Sequence, residues 1–552
     1  MMKIKFLLAL FMSCALGLSA QGYLDGIEYY RADQYANARS IFERTLNDAD
    51  TDKAVSYYYL GQLAIKYRQL DKALEYFNKG IEANPNYGYN YVGLAALELK
   101  NGNKKEAENH IKTAKKFGKK DAKLLVDIAR AYYDADKDVY HKNIEKTLKD
   151  AYKANSEEPD YYLFLGDTVI VNATNNRELG DAAAHYDMAI NFARNNNSQS
   201  AYTVVKYSSL YEKLNPEYAI SSMKEYLATN PNSAIAQREL AERLYNQRMY
   251  DEAAVEYGKY IKMPGHFTED EERYAILLFA SSRFNEAFDA AKTAATKSKS
   301  PFVMERIMFY SKVSLNDYAE AYKYGKAFFD KYPETQSHST GDYYYYASTA
   351  ENYAKVDTAN AVALRNLAID SYKNIIELDS TDISAYKSLA SIYQANNDFD
   401  NAITYTEKFI ELTESPKDSD YRMLATILAD KASVEPDATK KAELQARALS
   451  TIDKAVEITK SPYVARAAGM MYYQIQGKYT TDFEKYYLKS LELLDSDKFY
   501  AEKAQDVYKN VLRSLGVYYY NNKDLAKAKE IFTRYIQFAP EDSQIDNILK
   551  NL

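Results

Sequence analysis

The sequence predicts an all-α chain: an α-solenoid of about fourteen helix-turn-helix units laid end to end and finished by a C-terminal capping helix. Three observations predict it. The first is a repeat of small residues at a fixed period, since Gly61, Ala95 and Ala129 are 34 apart, as are Tyr207, Ala241, Ala275 and Phe309. The second is another small residue twelve positions later: Ala38, Ala73, Ala107, Ala219, Ala253, Ala287, Ala321, Ala402 and Ala528. The third is composition. The chain is 47% hydrophobic and 27% charged, with only 11 Pro and 18 Gly, which suits a large helical core and not a disordered chain.

Taken in order, the chain opens on an export signal. Lys3 and Lys5 precede an apolar run from Phe6 to Leu18, broken only by Ser13, and Leu18-Ser19-Ala20 ends in small residues before Gln21. That run is too short for a membrane span, and no later stretch is a credible one. Cleavage after Ala20 is the expected processing, with lipidation at Cys14, the one Cys of the chain, as the alternative. Loss of residues 1–20 moves the formal charge from −7 to −9. Mild acidity argues against nucleic acid as a partner, which calls for a basic footprint.

Ser56 to Tyr87 shows one unit in full. Tyr57, Leu60, Gly61 and Ala64 share one face of a first helix, Ala73, Phe77 and Gly80 share one face of a second, and Pro85 closes the unit. Such faces at i, i+3, i+4, i+7 must be buried, and neither helix can do so alone. Further first-helix anchors are Gly26, Gly166, Ala390, Ala425, Gly469 and Gly516, and Pro231, Pro333 and Pro540 close other units. Four residues after the second mark comes a packing residue such as Phe42, Phe77, Ile111, Tyr257 or Phe532. Tyr207 and Phe309 break the small-residue pattern, so their units are expected to be splayed or compensated.

Five units carry insertions: Asp134–Asn143, Asn172–Gly180, residues around Asp357, Lys431–Lys441 and Lys478–Asp482. The unit near Ala347 lacks a clean anchor. The polar stretch Glu334–Asp342 after Pro333 reads as a soft point. It divides the array into 21–335 and 336–552, and the tail 541–552, with Ile545, Ile548 and Leu549 on one face, caps the last pair.

These paired small residues at this period resemble the tetratricopeptide repeat family over nearly the whole mature chain. The resemblance implies a right-handed superhelix whose first helices line a concave groove that takes a protein or peptide partner. Physically, a small residue on each helix of a pair lets the backbones approach, and large residues fill the groove between pairs.

No motif for catalysis, cofactor or metal stands out. His110, His141, His185, His266 and His338 are scattered without zinc-pair spacing, and no Gly-rich phosphate loop or GxSxG elbow is present. Asp167-Thr168-Val169, Asp357-Thr358-Ala359 and Asp379-Ser380-Thr381 resemble the short O-glycosylation signal of exported proteins in Bacteroidetes-type bacteria, with Thr358 and Ser380 placed near turns.

Two columns would face the groove. Three residues before each anchor stand Tyr23, Tyr58, Val92, Val126, Leu163 and Val204, then Arg238, Glu272, Arg306, Lys387, Arg422, Arg466 and Arg513. Four residues after the anchors stand Tyr30, Tyr133, Tyr211, Tyr245, Phe279, Tyr473 and Tyr520. Tyrosines supply amphipathic contact area at low entropic cost, and Arg clamps carboxylates. The alternative for both columns is internal: Arg pairing with a Glu of the adjacent helix, Tyr packing between repeats. The functional expectation is a non-catalytic scaffold or adaptor of the bacterial cell envelope, periplasmic or at the outer-membrane periphery. Its groove would be apolar at one end, basic from Arg238 onward, and would accept an acidic or carboxylate-bearing segment. The rival is a glycan-binding outer-surface protein of the SusD type. Against it stand repeats that span the chain and the absence of Trp beside 56 Tyr.

Overall fold

The computed structural model describes residues 22–171, 173–195, 200–263, 266–496 and 503–552. The predicted leader 1–20 with Cys14, and Asn172 of the second predicted insertion, lie outside the described residues. Among the described residues are 29 α-helices and one short 3-10 turn, with no strand. None of these helices is long and apolar enough to cross a membrane. The chain divides into two compact units, Met1–Ser311 and Lys312–Leu552.

Unit 1 is a succession of helical hairpins: α1 (Gly22–Arg31) with α2 (Tyr35–Thr45), α3 (Lys53–Lys66) with α4 (Leu70–Ala83), α5 (Gly88–Lys100) with α6 (Lys104–Gly118), and α7 (Ala122–Asp136) with α8 (His141–Ala154). Then come α9 (Pro159–Ile170) with α10 (Asn176–Asn195), α11 (Ala201–Leu214) with α12 (Pro216–Thr229), α13 (Ala234–Asn246) with α14 (Tyr250–Tyr260), and α15 (Thr268–Ala280) with α16 (Phe284–Ala295). Helix α17 (Phe302–Ser314) runs through the division. In unit 2, α18 (Tyr318–Lys331) packs on α19 (Thr340–Tyr353), which pairs with α20 (Ala361–Leu378). The hairpins of α21 (Ile383–Ala395) with α22 (Phe399–Leu412), α23 (Asp418–Val434) with α24 (Ala438–Ile458), α25 (Pro462–Gln476) with α26 (Thr481–Ser496), and α27 (Gln505–Asn521) with α28 (Leu525–Phe538) follow. Helix α29 (Ser543–Lys550) covers the last of them, with Ile545 buried.

The small residues are where the hairpins close. All nine alanines of the second mark are fully buried. A Cβ on Gly61 would lie 2.3 Å from the Phe77 ring, and one on Gly516 2.4 Å from Phe532. The aromatic of each second helix thus sits in the space the first-helix glycine leaves open. Phe77 is held from both sides, since a Cβ on Gly93 of the next hairpin would also meet it, at 2.2 Å. Tyr207 is compensated: its ring packs on Tyr211 and Tyr218 and its hydroxyl donates to Tyr218 at 3.1 Å. Ala347 is fully buried and serves as the anchor of its unit.

Two expectations of boundary change. The insertions are taken up mainly as extra helical turns, since α10, α20 and α24 have 20, 18 and 21 residues where the other second helices have 11 to 16. Helix is the cheaper way to add length when the added residues continue an apolar face. The polar stretch at 334–342 leads directly into α19. Ser339 and Asp342 form a capping box at the start of α19, and the buried His338 packs against Phe328 and Phe329. The division falls earlier, between Ser311 and Lys312.

Candidate functional site

The apolar end of the predicted groove column is core in unit 1. Tyr58, Val92, Val126, Leu163 and Val204 are buried, and Tyr23 is half-buried. What covers them is in part the first hairpin, because α1 touches α11 and α13 as well as its neighbour α3. The Tyr29 ring meets Phe267 edge-on at 5.4 Å, Gln34 donates to Glu239 at 2.6 Å, and the Tyr202 backbone N–H donates to Glu28 at 2.8 Å.

At the end of α1, Arg31 is buried between two carboxylates, donating to Asp127 at 3.0 Å and to Asp160 at 3.1 Å. Tyr58 donates to Asp127 at 3.0 Å, Tyr202 to Asp160 at 2.7 Å, and Lys123 pairs with Asp160 at 3.1 Å. Burial alone would raise the Asp160 carboxyl, but Arg31 and Lys123 hold it well below the usual carboxylate range. Tyr58 therefore serves an internal network, the internal alternative of the sequence reading.

Beside this network is an 820 Å³ cavity bordered by Lys66, Arg130, Lys206, Asp33, Asp134 and Asp167. Its charges cancel: Lys206 bridges Asp33 at 2.8 Å and Asp167 at 2.7 Å, and Arg130 pairs with Asp167 at 3.2 Å. Tyr133 lines it edge-on to Phe164 at 5.7 Å, while Tyr30 packs on Tyr59 at 5.0 Å beside an adjoining cleft.

The basic end of the column divides by what the next hairpin offers. Arg238 grips Asp270 with Nε at 2.7 Å and Nη2 at 3.0 Å, and Lys387 pairs with Asp420 at 3.1 Å. Asp270 and Asp420 are each the third residue of the following first helix, a position that favours carboxylates on dipole grounds. Arg513 reaches Asp542, the N-cap of α29, at 3.3 Å. The Arg306 guanidinium lies 4.6 Å from the Phe302 ring centroid.

Arg422 and Arg466 differ. The third residues of the helices that follow them are Val464 and Val507. Neither guanidinium has a carboxylate among the described residues, and the Nε of each is buried without an acceptor. Arg466 donates to the neutral Asn510 at 3.2 Å and acts electrostatically on the Tyr487 phenol. On the following stretch Tyr473 of α25 stacks on Tyr479 at 4.5 Å, Arg513 acts electrostatically on Tyr479, and Tyr520 of α27 is 42% exposed. In unit 1, by contrast, Tyr245 lies under Arg273 at 4.5 Å and beside Tyr250 at 5.8 Å.

Helices α23 and α25 of unit 2 thus present Arg422 and Arg466 without a carboxylate among the described residues, an arrangement suited to an acidic group. Sequence reasoning missed two features: the pairing of a column cation with the third residue of the next first helix, and the return of α1 onto α11 and α13. The first was visible as Arg238 with Asp270 and Lys387 with Asp420, 32 and 33 residues apart. The second has no periodic signal. Among the described residues no group of three or more His, Cys, Asp or Glu is placed to hold a metal ion.

Comparison with known proteins gives a consistent result. Residues 54–87 match the family model described as tetratricopeptide repeat. A TPR repeat-containing protein of Methanocaldococcus jannaschii is 23% identical over 244 residues, 43% of this chain and 42% of its own length. The chain therefore spans less than half of that curated relative. Among solved structures, the C-terminal part of a TPR repeat-containing protein from Cytophaga hutchinsonii is 19% identical, with 50% of this chain and 98% of that one covered and a TM-score of 0.39. A tetratricopeptide repeat protein from Parabacteroides merdae is 14% identical, with 49% and 97% covered and a TM-score of 0.29.

Proposed function

Because the chain is a protein of the tetratricopeptide repeat family, we propose that it is a non-catalytic scaffold that captures an acidic protein segment on the first-helix face of unit 2. The observation that carries this reading is the state of Arg422 and Arg466. Their counterparts Arg238, Lys387 and Arg513 are matched by carboxylates within the fold, and these two are not. A partner carboxylate would supply the missing charge, with Tyr473 and Tyr520 giving amphipathic area beside it. We place this role in the cell envelope on the strength of the export signal at residues 1–20, and the N-terminal mass of the mature protein distinguishes a start at Gln21 from a lipidated Cys14.

The test is charge reversal at both positions, R422E with R466E, with Arg513 reversed as a third step. Charge-assisted hydrogen bonds contribute roughly 1.5–3 kcal/mol each. Loss of both should weaken capture of an Asp/Glu-rich peptide on the order of 100-fold or more, read by titration calorimetry. Unchanged affinity in a variant of unchanged helix content overturns the reading.

A further inference from the structure

The second helices α6 and α8 carry charge of one sign. Residues 104–120, which run two residues past the end of α6, hold seven lysines and two glutamates. Helix α8 holds four lysines with Glu145 and Asp150. The formal charges are therefore +5 and +2, in a chain whose total is −7. By comparison, α14 has one lysine against three acids and α26 two against four. The excess is not a general property of second helices.

The lysines are in register. At about 3.6 residues per turn, Lys105, Lys112, Lys116 and Lys119 fall on one line, opposite the buried Ala107, Ile111 and Ala114 of α6. Lys142, Lys146, Lys149 and Lys153 fall on one line of α8, opposite the buried Ile144, Thr147 and Ala151. All eight lysines are exposed. The two helices lie side by side, since Lys115 of α6 bridges Asp150 of α8 at 3.8 Å and Asn143 of α8 donates to Glu108 of α6 at 3.4 Å. Those contacts engage two of the four acids, and Glu106 accepts from Asn109 at 3.3 Å. Among the described residues none of the eight stripe lysines pairs with a carboxylate. The helix dipole favours lysines in a last turn, but Lys105 and Lys142 stand in first turns, where it opposes a cation.

We propose that this face of unit 1 docks on an anionic bilayer surface, with the two lysine stripes set against lipid phosphates. The residue type selects that partner. Neither helix contains Arg, so the face lacks the rigid fork that fixes a single carboxylate or reads a base edge. Lysine offers a point charge on a mobile stem, which suits phosphates that are themselves mobile in the plane. At the C-terminal ends of the stripes Phe117 is 37% and Tyr152 47% exposed, and the Lys116 ammonium lies 5.6 Å from the Phe117 ring centroid. Aromatic rings beside lysines are suited to the headgroup layer.

Co-sedimentation of the mature chain with vesicles tests this. The wild type should bind phosphatidylcholine vesicles containing about one-third phosphatidylglycerol at about 0.1 M salt, be released at about 1 M, and leave pure phosphatidylcholine vesicles unbound. The variant K112Q/K116Q/K146Q/K149Q should bind the anionic vesicles on the order of 100-fold or more weakly. A control with the same charge removed from exposed sites of unit 2, K440Q/K454Q/K489Q/K529Q, should bind as the wild type does. No binding by the wild type, equal binding to both kinds of vesicle, a stripe variant that binds like the wild type, or an equal loss in the control overturns the proposal. So does tighter binding to duplex DNA or to poly-glutamate than to the anionic vesicles at equal anionic charge. Should the stripe variant lose helix content by circular dichroism, K112Q/K149Q is read instead. A loss of about tenfold is then expected, and unchanged affinity overturns the proposal.

Discussion

At the scale of single residues, the Arg31–Asp160 contact is the place where one substitution should do the most damage in unit 1. Asp160 accepts from Arg31, Lys123 and Tyr202 while nearly excluded from solvent. Removing one partner of a buried ion pair leaves the others desolvated and uncompensated, which costs about 3–5 kcal/mol. Asp160→Asn keeps the shape and loses the charge, so it should lower the unfolding free energy of unit 1 by that amount, read from urea titration. The pH profile carries the same information. Because Asp160 is held below its ordinary value of 3.8 in the fold, its contribution is complete above the unfolded value and is lost as pH falls beneath it. The wild type should therefore lose stability on acidification below that value more steeply than Asp160→Asn. Parallel acid limbs, followed by circular dichroism, would contradict this account.

At the scale of the element, one turn geometry between first and second helices recurs eight times. Seven residues after the anchors Gly26, Gly61, Ala95, Ala241, Ala275, Phe309, Ala390 and Gly516, the chain passes through the left-handed region, at Asp33, Arg68, Gly102, Arg248, Ser282, Asn316, Asn397 and Lys523. Only one of these eight is glycine. An ordinary side chain there costs roughly 1–2 kcal/mol, partly offset by the greater freedom glycine has when unfolded. Arg68→Gly and Lys523→Gly, both exposed, should each stabilise by about 0.5–1 kcal/mol in thermal or urea unfolding, and destabilisation by either would refute the argument. The same register explains what could be read ahead of the structure. Helix existence, hairpin pairing, the buried alanines and the cap helix all depend on contacts between neighbours in sequence, and a 34-residue period records those contacts. The turn conformation was not legible, because Asp, Arg, Ser, Asn and Lys at one position share no composition signal. The candidate site was half legible. Column position placed Arg422 and Arg466 in one basic set with Arg238 and Lys387, and what distinguishes them depends on Val464 and Val507 in the next hairpin. Tyr58 was misassigned to an open face because the residue that claims its column, Asp127, is itself claimed by Arg31, 96 positions away.

At the scale of the whole molecule, the two units should respond differently to loss of an end. A repeat array in which each hairpin touches only its neighbours loses one interface when a terminal hairpin is removed. Unit 2 fits that description at its end, where α29 packs on α28 and buries its own Ile545 there. Unit 1 does not, because α1 also touches α11 and α13 and supplies Arg31 to Asp127 and Asp160. Deleting residues 22–51 therefore removes a neighbour interface and also strands two buried carboxylates, and the second effect alone is worth about 3 kcal/mol or more. Deleting residues 543–552 removes the cap and exposes one apolar face, with no buried charge left behind. Urea unfolding read by hydrogen exchange should show residues 122–214 destabilised across their whole length by the first deletion. The second should affect α27 and α28 alone. If the N-terminal deletion instead destabilises only α3 and α4, then α1 adds nothing beyond a neighbour contact, and unit 1 behaves as an open array with its ion network a passive filling. A loss that reaches α11 from a cut at residue 51 would mean that unit 1 unfolds as one closed body, in which the first hairpin is a structural part of the sixth and seventh.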